Sequence, residues 1–277
     1  MTTKPNQNII IMTFTIIFIL IIYHYFIYRQ NFFNLKQLNQ FEKFSSKDFY
    51  PCIAIIVEFR TTDKIISVVH NVNYHIPITW RIQIFHGISN ENFIRNSTLS
   101  SLISSGKIIL TLMKEIYDRS RTNILFTDAK FWKKVRGEKI LLFQIDSIMC
   151  SNSPHKIIDY LQYDYVGAPW DISWYTDDRK YLVGNGGFSL RTRRKILELI
   201  ALIPYDRRKP EDVWYAQNLH RVNASIAPVH IAKTFSVESI YYERPVGIHR
   251  FSWNCNFRRK ISETCPESVM VLPNGGC

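Results

Sequence analysis

The sequence predicts an α/β domain, a mostly parallel sheet flanked by helices, carried behind an N-terminal transmembrane helix. Two features of the chain from residue 49 onward predict the domain: short apolar runs alternate with segments of helical periodicity, and polar residues gather where the apolar runs end. A third predicts the anchor, an uncharged apolar stretch that stands apart near the N-terminus. With 277 residues, 46% of them hydrophobic and 14% aromatic, the chain is too apolar for a disordered tail and suited to one sizeable core.

Residues 1–8 form a short tail. Ile9 to Tyr28 (IIIMTFTIIFILIIYHYFIY) is free of formal charge. At about 1.5 Å per residue it is long enough to cross a hydrocarbon layer of roughly 30 Å. Tyr23, Tyr25, Phe26 and Tyr28 crowd its end as an interfacial belt does, and Arg29 closes it. The run exceeds the usual signal-peptide core of about 7–15 residues and no small-x-small cleavage site follows, so the segment is expected to remain as an anchor. Residues 29–48 then read as a polar stem.

The folded domain is expected over 49–253. Cys52–Glu58 (CIAIIVE) reads as a buried strand, followed by a helix over Thr62–Asn73 with Ile65, Ile66, Val68, Val69 and Val72 as its inner face. Thr79–Phe85 alternates as a strand, Glu91–Ser104 is helical, and Lys107–Leu112 is a third strand. Thr122–Val135 carries a helical stripe of Leu125, Phe126, Ala129 and Trp132, and Lys139–Asp146 (KILLFQID) is the most apolar strand. Beyond it come YDYVGAPW at 163–170 and a glycine cluster, Gly184, Gly186 and Gly187. A helix follows over Thr192–Ile203, and another opens at Pro210-Glu211-Asp212. Residues 254–277 read as a C-terminal tail.

In parallel sheets ligands bind beyond the carboxyl ends of the strands, which makes the residues there the candidates. Glu58 and Arg60 end the first strand; Gln144 and Asp146 end the fourth. Asp146 interrupts an apolar run, where an unpaired carboxylate is costly, so it calls for a cation, a donor cluster or a metal. The glycines at 184–187 fit either a close backbone approach to a ligand or a hairpin or bulge; the spacing is neither GxGxxG nor a phosphate-binding GK[ST] loop.

Composition narrows the partners. Lys and Arg number 35 against 23 Asp and Glu, a net +12; only Lys4 and Arg29 lie in the first 30 residues, so the remainder holds 33 against 23, or +10. That excess suits an anionic ligand or surface, and no nucleic-acid-binding module accompanies it, so nucleic acid is not an expected partner. The five cysteines contain no CxxC pair. Cys52 and Cys150 sit in apolar runs as expected buried thiols, whereas Cys255 and Cys265 flank a basic loop and suit a disulfide in an oxidising lumen. Asn96-Ser97-Thr98 and Asn223-Ala224-Ser225 fit the N-glycosylation pattern. These features favour a lumenal, type II orientation in the Golgi or endoplasmic reticulum. The excess of Lys and Arg just after the span favours the opposite, cytoplasmic-facing topology.

Six motifs then stand in order: FQIDS (143–147), YDYVGAPW (163–170), GNGGFSLR (184–191), PEDVWYAQNL (210–219), AKTFSVES (232–239) and PVGIHRFSW (245–253). With VEFR (57–60) and NILFTDAKFW (123–132), this series resembles a family of glycosyltransferase-like domains of the GT-A, Rossmann-related type. The resemblance covers nearly all of residues 50–253. It implies a nucleotide-sugar donor, a glycan, protein or lipid acceptor, and commonly a divalent metal, manganese being the expected ion. Such folds commonly place an Asp-x-Asp motif at a strand end; here Gln144-Ile145-Asp146 stands there, so only Asp146 matches the metal-facing acid. His249, in PVGIH, resembles the late histidine that completes the metal or diphosphate shell.

The resemblance further implies donor contacts from Glu58, Arg60, Gln144, Asp146, Gly186 and Gly187. Trp170 and Trp174 are candidate acceptor platforms, and Asp212, with Glu211 as its rival, is the candidate base that deprotonates an acceptor hydroxyl. The sequence therefore supports a membrane-anchored glycosyltransferase. The alternative is a catalytically silent glycan- or nucleotide-sugar-binding module on the same fold, which the uncharged Gln144 favours.

Overall fold

The structure, a computed structural model, describes residues 49–114, 121–171, 183–250 and 255–271. The chain divides into two compact units, residues 1–44 and 45–277. The first unit, with the expected span at 9–28, lies outside the described residues, as do the rest of the stem and Trp174. Among the described residues no helix is long and apolar enough to cross a membrane.

The main sheet forms as the alternation predicts. Strand β1 (Tyr50–Val57) lies at its centre, with Ile53, Ala54, Ile55 and Ile56 fully buried because helices cover both faces. Helix α1 (Asp63–His75) follows; the Thr62 side chain accepts from the Lys64 N–H at its N-terminus, and Ile65, Val68, Val69 and Val72 face the core. Next come β2 (Arg81–His86), α2 (Glu91–Arg95), α3 (Ser100–Ser104) and β3 (Ile108–Leu112). Helices α4 (Thr122–Phe126) and α5 (Ala129–Lys134) lead to β4 (Gly137–Phe143).

Two helices expected to be continuous are broken, each by a short polar side chain that bonds locally. The Ser97 hydroxyl donates to the Ile94 carbonyl and accepts from the Leu99 N–H, ending α2. The Thr127 hydroxyl bonds back to Asn123, and the Asp128 carboxylate accepts from Lys130 N–H to start α5 afresh. The fourth strand also stops earlier than expected, at Phe143, so Gln144–Asp146 form a turn into β5 (Ser147–Met149).

Strands β6 (Tyr165–Gly167) and β7 (Phe188–Thr192) complete a six-stranded sheet of order β3-β2-β1-β4-β7-β6. Strands β3, β2, β1 and β4 are mutually parallel, and β7 runs antiparallel to both its neighbours. The chain proceeds from β1 outward on one side and returns with β4 on the other, so the strand order reverses between β1 and β4, where a crevice opens beyond the strand ends.

Helices α6 (Arg193–Leu202), α7 (Glu211–Asn218) and α8 (Val229–Phe235) follow, and β8 (Ser236–Val237) and β9 (Gly247–His249) join β5 in a three-stranded sheet of order β5-β9-β8. This small sheet has its own apolar packing, in which Ile148, Val237 and Ile248 meet Val68 of α1. Residues 255–271, read from sequence as part of a tail, pack on it: α9 (Cys255–Thr264) buries Ile261 there, and a 3-10 turn over Pro266–Met270 follows.

The disulfide pairing also differs from expectation. Cys265 bonds to Cys150, not to Cys255, because the end of α9 packs directly on β5; Cys255 is itself disulfide-bonded, and Cys52 is the free cysteine among the described residues. The Cys150–Cys265 bond closes a loop of 115 residues in sequence. Such cross-links stabilise by about 2–4 kcal/mol. The Cys150→Ser, Cys265→Ser double variant is therefore expected to lower unfolding free energy by about that amount in denaturant titrations. An unchanged midpoint would show that the C-terminal helix holds its place without the bond.

Candidate active site

The crevice at the strand reversal is a cleft of about 830 Å³. The end of β1 supplies Glu58 and Arg60, the β4–β5 turn supplies Gln144 and Asp146, the glycine segment supplies Asn185, Gly186 and Gly187, the start of α7 supplies Glu211 and Asp212, and the small sheet supplies Glu238, His249 and Arg250. Nine of the residues expected from sequence thus line one cavity.

The small sheet brings Asp146, Glu238 and His249 together. Strand β5 pairs Ser147 with His249, which sets Asp146 beside the end of β9, and the Arg250 N–H donates to the Asp146 carbonyl at 3.1 Å. Strand β8 pairs Val237 with Ile248, so Glu238 emerges on the other side of His249. The imidazole consequently sits between two carboxylates, with Nε2 3.5 Å from Asp146 Oδ1 and Nδ1 3.2 Å from Glu238 Oε1. Both nitrogens are buried, and neither contact has the alignment of a hydrogen bond. Burial opposes the charge on His249, but the two carboxylates outweigh it and raise its pKa to about 9. Burial would raise Asp146; His249 and Arg250, whose Nε is 3.4 Å from Oδ2, hold it below the ordinary carboxylate value.

Opposite this cluster, α7 presents two adjacent carboxylates in different states. Glu211 is buried and bound on both oxygens by Arg191 of β7, whose two terminal nitrogens lie at 3.1 Å. Arg191 is fully buried, 5.2–5.9 Å from the rings of Tyr165, Tyr215, Trp132 and Phe126. Its charge is thus compensated by a bidentate carboxylate and four aromatic faces. Burial raises Glu211 to about 6 despite Arg191. Asp212 instead accepts one backbone N–H on each oxygen, from Gly186 at 3.0 Å and Val213 at 2.8 Å, and burial raises its pKa against these bonds. Those bonds leave it facing the cleft, whereas Glu211 is committed to Arg191.

Gly186 and Gly187 join the two halves. A Cβ on Gly187 would strike the His249 ring, and one on Gly186 would strike Glu211. The glycines are needed because protein side chains occupy that space; of the cluster, Gly184 has the positive φ, +134°. Asn185 locks the segment, accepting from the Gly187 N–H and donating to Glu238 at 2.6 Å.

Other expected residues are placed differently. Arg60 bonds Glu58 through Nε at 2.8 Å and a terminal nitrogen at 2.7 Å, so the pair is a salt bridge at the cleft wall, with the Arg60 side chain 71% exposed. Asn90 fixes this corner, donating to the carbonyls of Glu58 and Arg60. Trp170 does not line the cleft: it is 4% exposed and packed on Val213 and Ala216 of α7, so it pins that helix and offers no platform to an acceptor. Glu238, Asn185, Arg191 and Arg250 were missed as site residues although all lie inside or beside the motifs singled out; the readable signal was an Arg in an otherwise buried strand, FSLRT.

Among the described residues no three His, Cys, Asp or Glu side chains form a metal cage. With its proton displaced, the His249 Nε2 facing Asp146 nonetheless fits a shared cation. Two adjacent ligands of an octahedral ion with bonds of about 2.1 Å lie about 3 Å apart, close to the observed separation. Glu238 on the other ring nitrogen is the outer partner such a ligand uses.

The chain belongs to the family described as "Protein of unknown function (DUF5672)", whose model matches residues 109–249, just over half of it. No curated protein matches it. Similar solved structures include the apo form of the glycosyltransferase GlyE of Streptococcus pneumoniae TIGR4, at 13% identity and TM-score 0.47, covering 80% of this chain and 62% of that one. Residues 1–349 of S. aureus TarS align at 10% identity and TM-score 0.45 over 72% of this chain and 60% of that one. The mannosyltransferase PcManGT of Pyrobaculum calidifontis, solved with GDP-Man and Mn2+, aligns at 11% and 0.45 over 72% and 62%. The chain thus spans 60–62% of the length of these three.

The raised pKa of His249 has a measurable consequence. Its charged form contributes stability that is fully present below the ordinary value of 6.5 and is lost as pH rises through about 9. Glu211 loses stability in the same direction but in a lower window, between 4.5 and about 6. In chelator-treated protein the unfolding midpoint is expected to fall between pH 6.5 and about 9, and His249→Gln to remove that fall. A flat wild-type profile there would contradict the paired imidazolium.

Proposed function

We propose that the protein is a glycosyltransferase that moves a sugar from a nucleoside-diphosphate donor to a hydroxyl acceptor, anchored in a membrane by residues 9–28. The observation that carries this reading is the convergence on one cleft of the Asp146–His249–Glu238 cluster and the separately held Asp212. In the reaction, the acceptor oxygen forms a bond to the sugar anomeric carbon, the bond from that carbon to the diphosphate breaks, and the nucleoside diphosphate departs with the electron pair. Asp212 receives the proton from the acceptor hydroxyl. Its burial raises proton affinity, as a base requires, and the N–H groups of Gly186 and Val213 hold its orientation. Glu211 is not the base in this reading, because Arg191 engages both its oxygens.

Asp146 and His249 would hold a divalent cation, manganese by the chemistry of a mixed imidazole and carboxylate pair, which neutralises charge on the departing diphosphate when bound. Arg60, Lys64 and Arg250 line the same cleft and add positive charge for the donor phosphates. Gln144, on the turn beside Asp146, is positioned to meet the nucleotide.

A panel of nucleotide sugars screened by thermal shift with manganese, followed by turnover of the labelled donor that binds, tests this reading. Asp212→Asn is expected to lower turnover by about two to four orders of magnitude with donor affinity nearly unchanged. Asp146→Asn is expected to weaken manganese-dependent donor binding. Donor binding without turnover, under conditions where Asp212→Asn changes nothing, would favour the silent binding module instead.

A further inference from the structure

The two N-glycosylation triplets are not used by the cleft, and their surroundings differ. Asn223 is exposed and has φ +51°, a left-handed position after a 3-10 turn that Asn tolerates well, so local conformation accounts for it. Asn96 has φ −89° and ψ 3°, which ask for no particular residue. It is exposed on the turn between α2 and α3, and its side chain makes no hydrogen bond to a described residue. The turn is built by its neighbours: Ser97 Oγ closes on Ile94 O at 2.7 Å, and Thr98 Oγ1, on an exposed residue, meets His70 Nε2 of α1 at 2.8 Å. Asn96 does not line the cleft, so a bulky group there leaves the site open.

A second observation bears on the compartment. The Cys150–Cys265 disulfide is buried between β5 and the end of α9, and Cys255 is disulfide-bonded as well. Such bonds form in the oxidising lumen where N-linked glycans are added.

We infer that Asn96 is an N-glycosylation site and that the domain faces a lumen. The co-reactant is a lipid-diphosphate-linked oligosaccharide. The Asn96 Nδ2 forms a bond to the anomeric carbon as that carbon's bond to the diphosphate breaks; the lipid diphosphate leaves with the electron pair, and the one proton lost by the amide nitrogen balances the charge on that departing diphosphate. Asn223-Ala224-Ser225, exposed at the end of the sheet away from the cleft, is accessible to the same chemistry.

The test is to express the full chain in mammalian cells and map its peptides before and after peptide-N-glycosidase treatment. A glycan on Asn96, with Asn96 converted to Asp by the enzyme, is expected. Asn96→Gln should remove one mobility step. Thr98→Ser, which preserves both the triplet and a hydroxyl for His70, should retain it. Ser225→Ala reports on Asn223 without altering its left-handed residue. An unmodified Asn96 overturns the inference, whether the Cys150–Cys265 pair is oxidised, which places the chain in the lumen without modification, or reduced, which places the domain in the cytosol. Neither result depends on the identity of a sugar donor, so the proposed transferase activity stands or falls separately.

Discussion

The geometry of the cleft is referenced to two α-carbons without side chains, those of Gly186 and Gly187. On one side the imidazole of His249 rests against Gly187, and on the other the Glu211 carboxylate rests against Gly186. Each contact is closer than any Cβ would permit, so the separation between the His249 cluster and α7 is set by backbone thickness. Alanine at either position forces one half of the site away from the other. A flexible lysine tip could yield at little cost, but His249 is wedged between Asp146 and Glu238, and Glu211 is fixed by Arg191.

Each half is held by a different physical device. The His249 half depends on hydrogen-bonded strand register: β5, β9 and β8 align three residues distant in sequence, and the Cys150–Cys265 bond with α9 supports the sheet from behind. The Asp212 half depends on a buried ion pair. Isolated charges would not survive there; Arg191 and Glu211 persist because the guanidinium has a bidentate partner and four aromatic faces. Removing one member of such a pair costs about 3–5 kcal/mol, since the other is left buried and unpaired. That rigidity allows Asp212 to remain partly free beside a fully engaged Glu211.

Much of the main sheet was legible in the sequence because buried parallel strands are near-continuous apolar runs, as CIAIIV and ILLF are. The short elements were less so. A serine or threonine that bonds to its own helix leaves little trace in hydrophobic periodicity, which is why Ser97 and Thr127 interrupt helices that read as continuous. In the site, strand ends pointed to Glu58, Asp146 and their neighbours, but sequence could not pair partners distant along the chain. Glu238 gains its position only through the β8–β9 register, Arg191 only through its aromatic surroundings, and Trp170 is buried by α7 for reasons no local pattern shows. Glu58 and Arg60, candidates because they end the first strand, bond to each other at the cleft wall.

The proposed function requires Asp146 and His249 to form half of a cation site completed by a nucleoside diphosphate. Electron paramagnetic resonance of manganese titrated with the full chain tests it most directly, with and without UDP or GDP. Free manganese signal is expected to be lost strongly only when a nucleoside diphosphate is present, and His249→Ala to abolish the effect while leaving the fold intact. Manganese that stays free with every diphosphate offered, or that is taken up equally by His249→Ala, would contradict it.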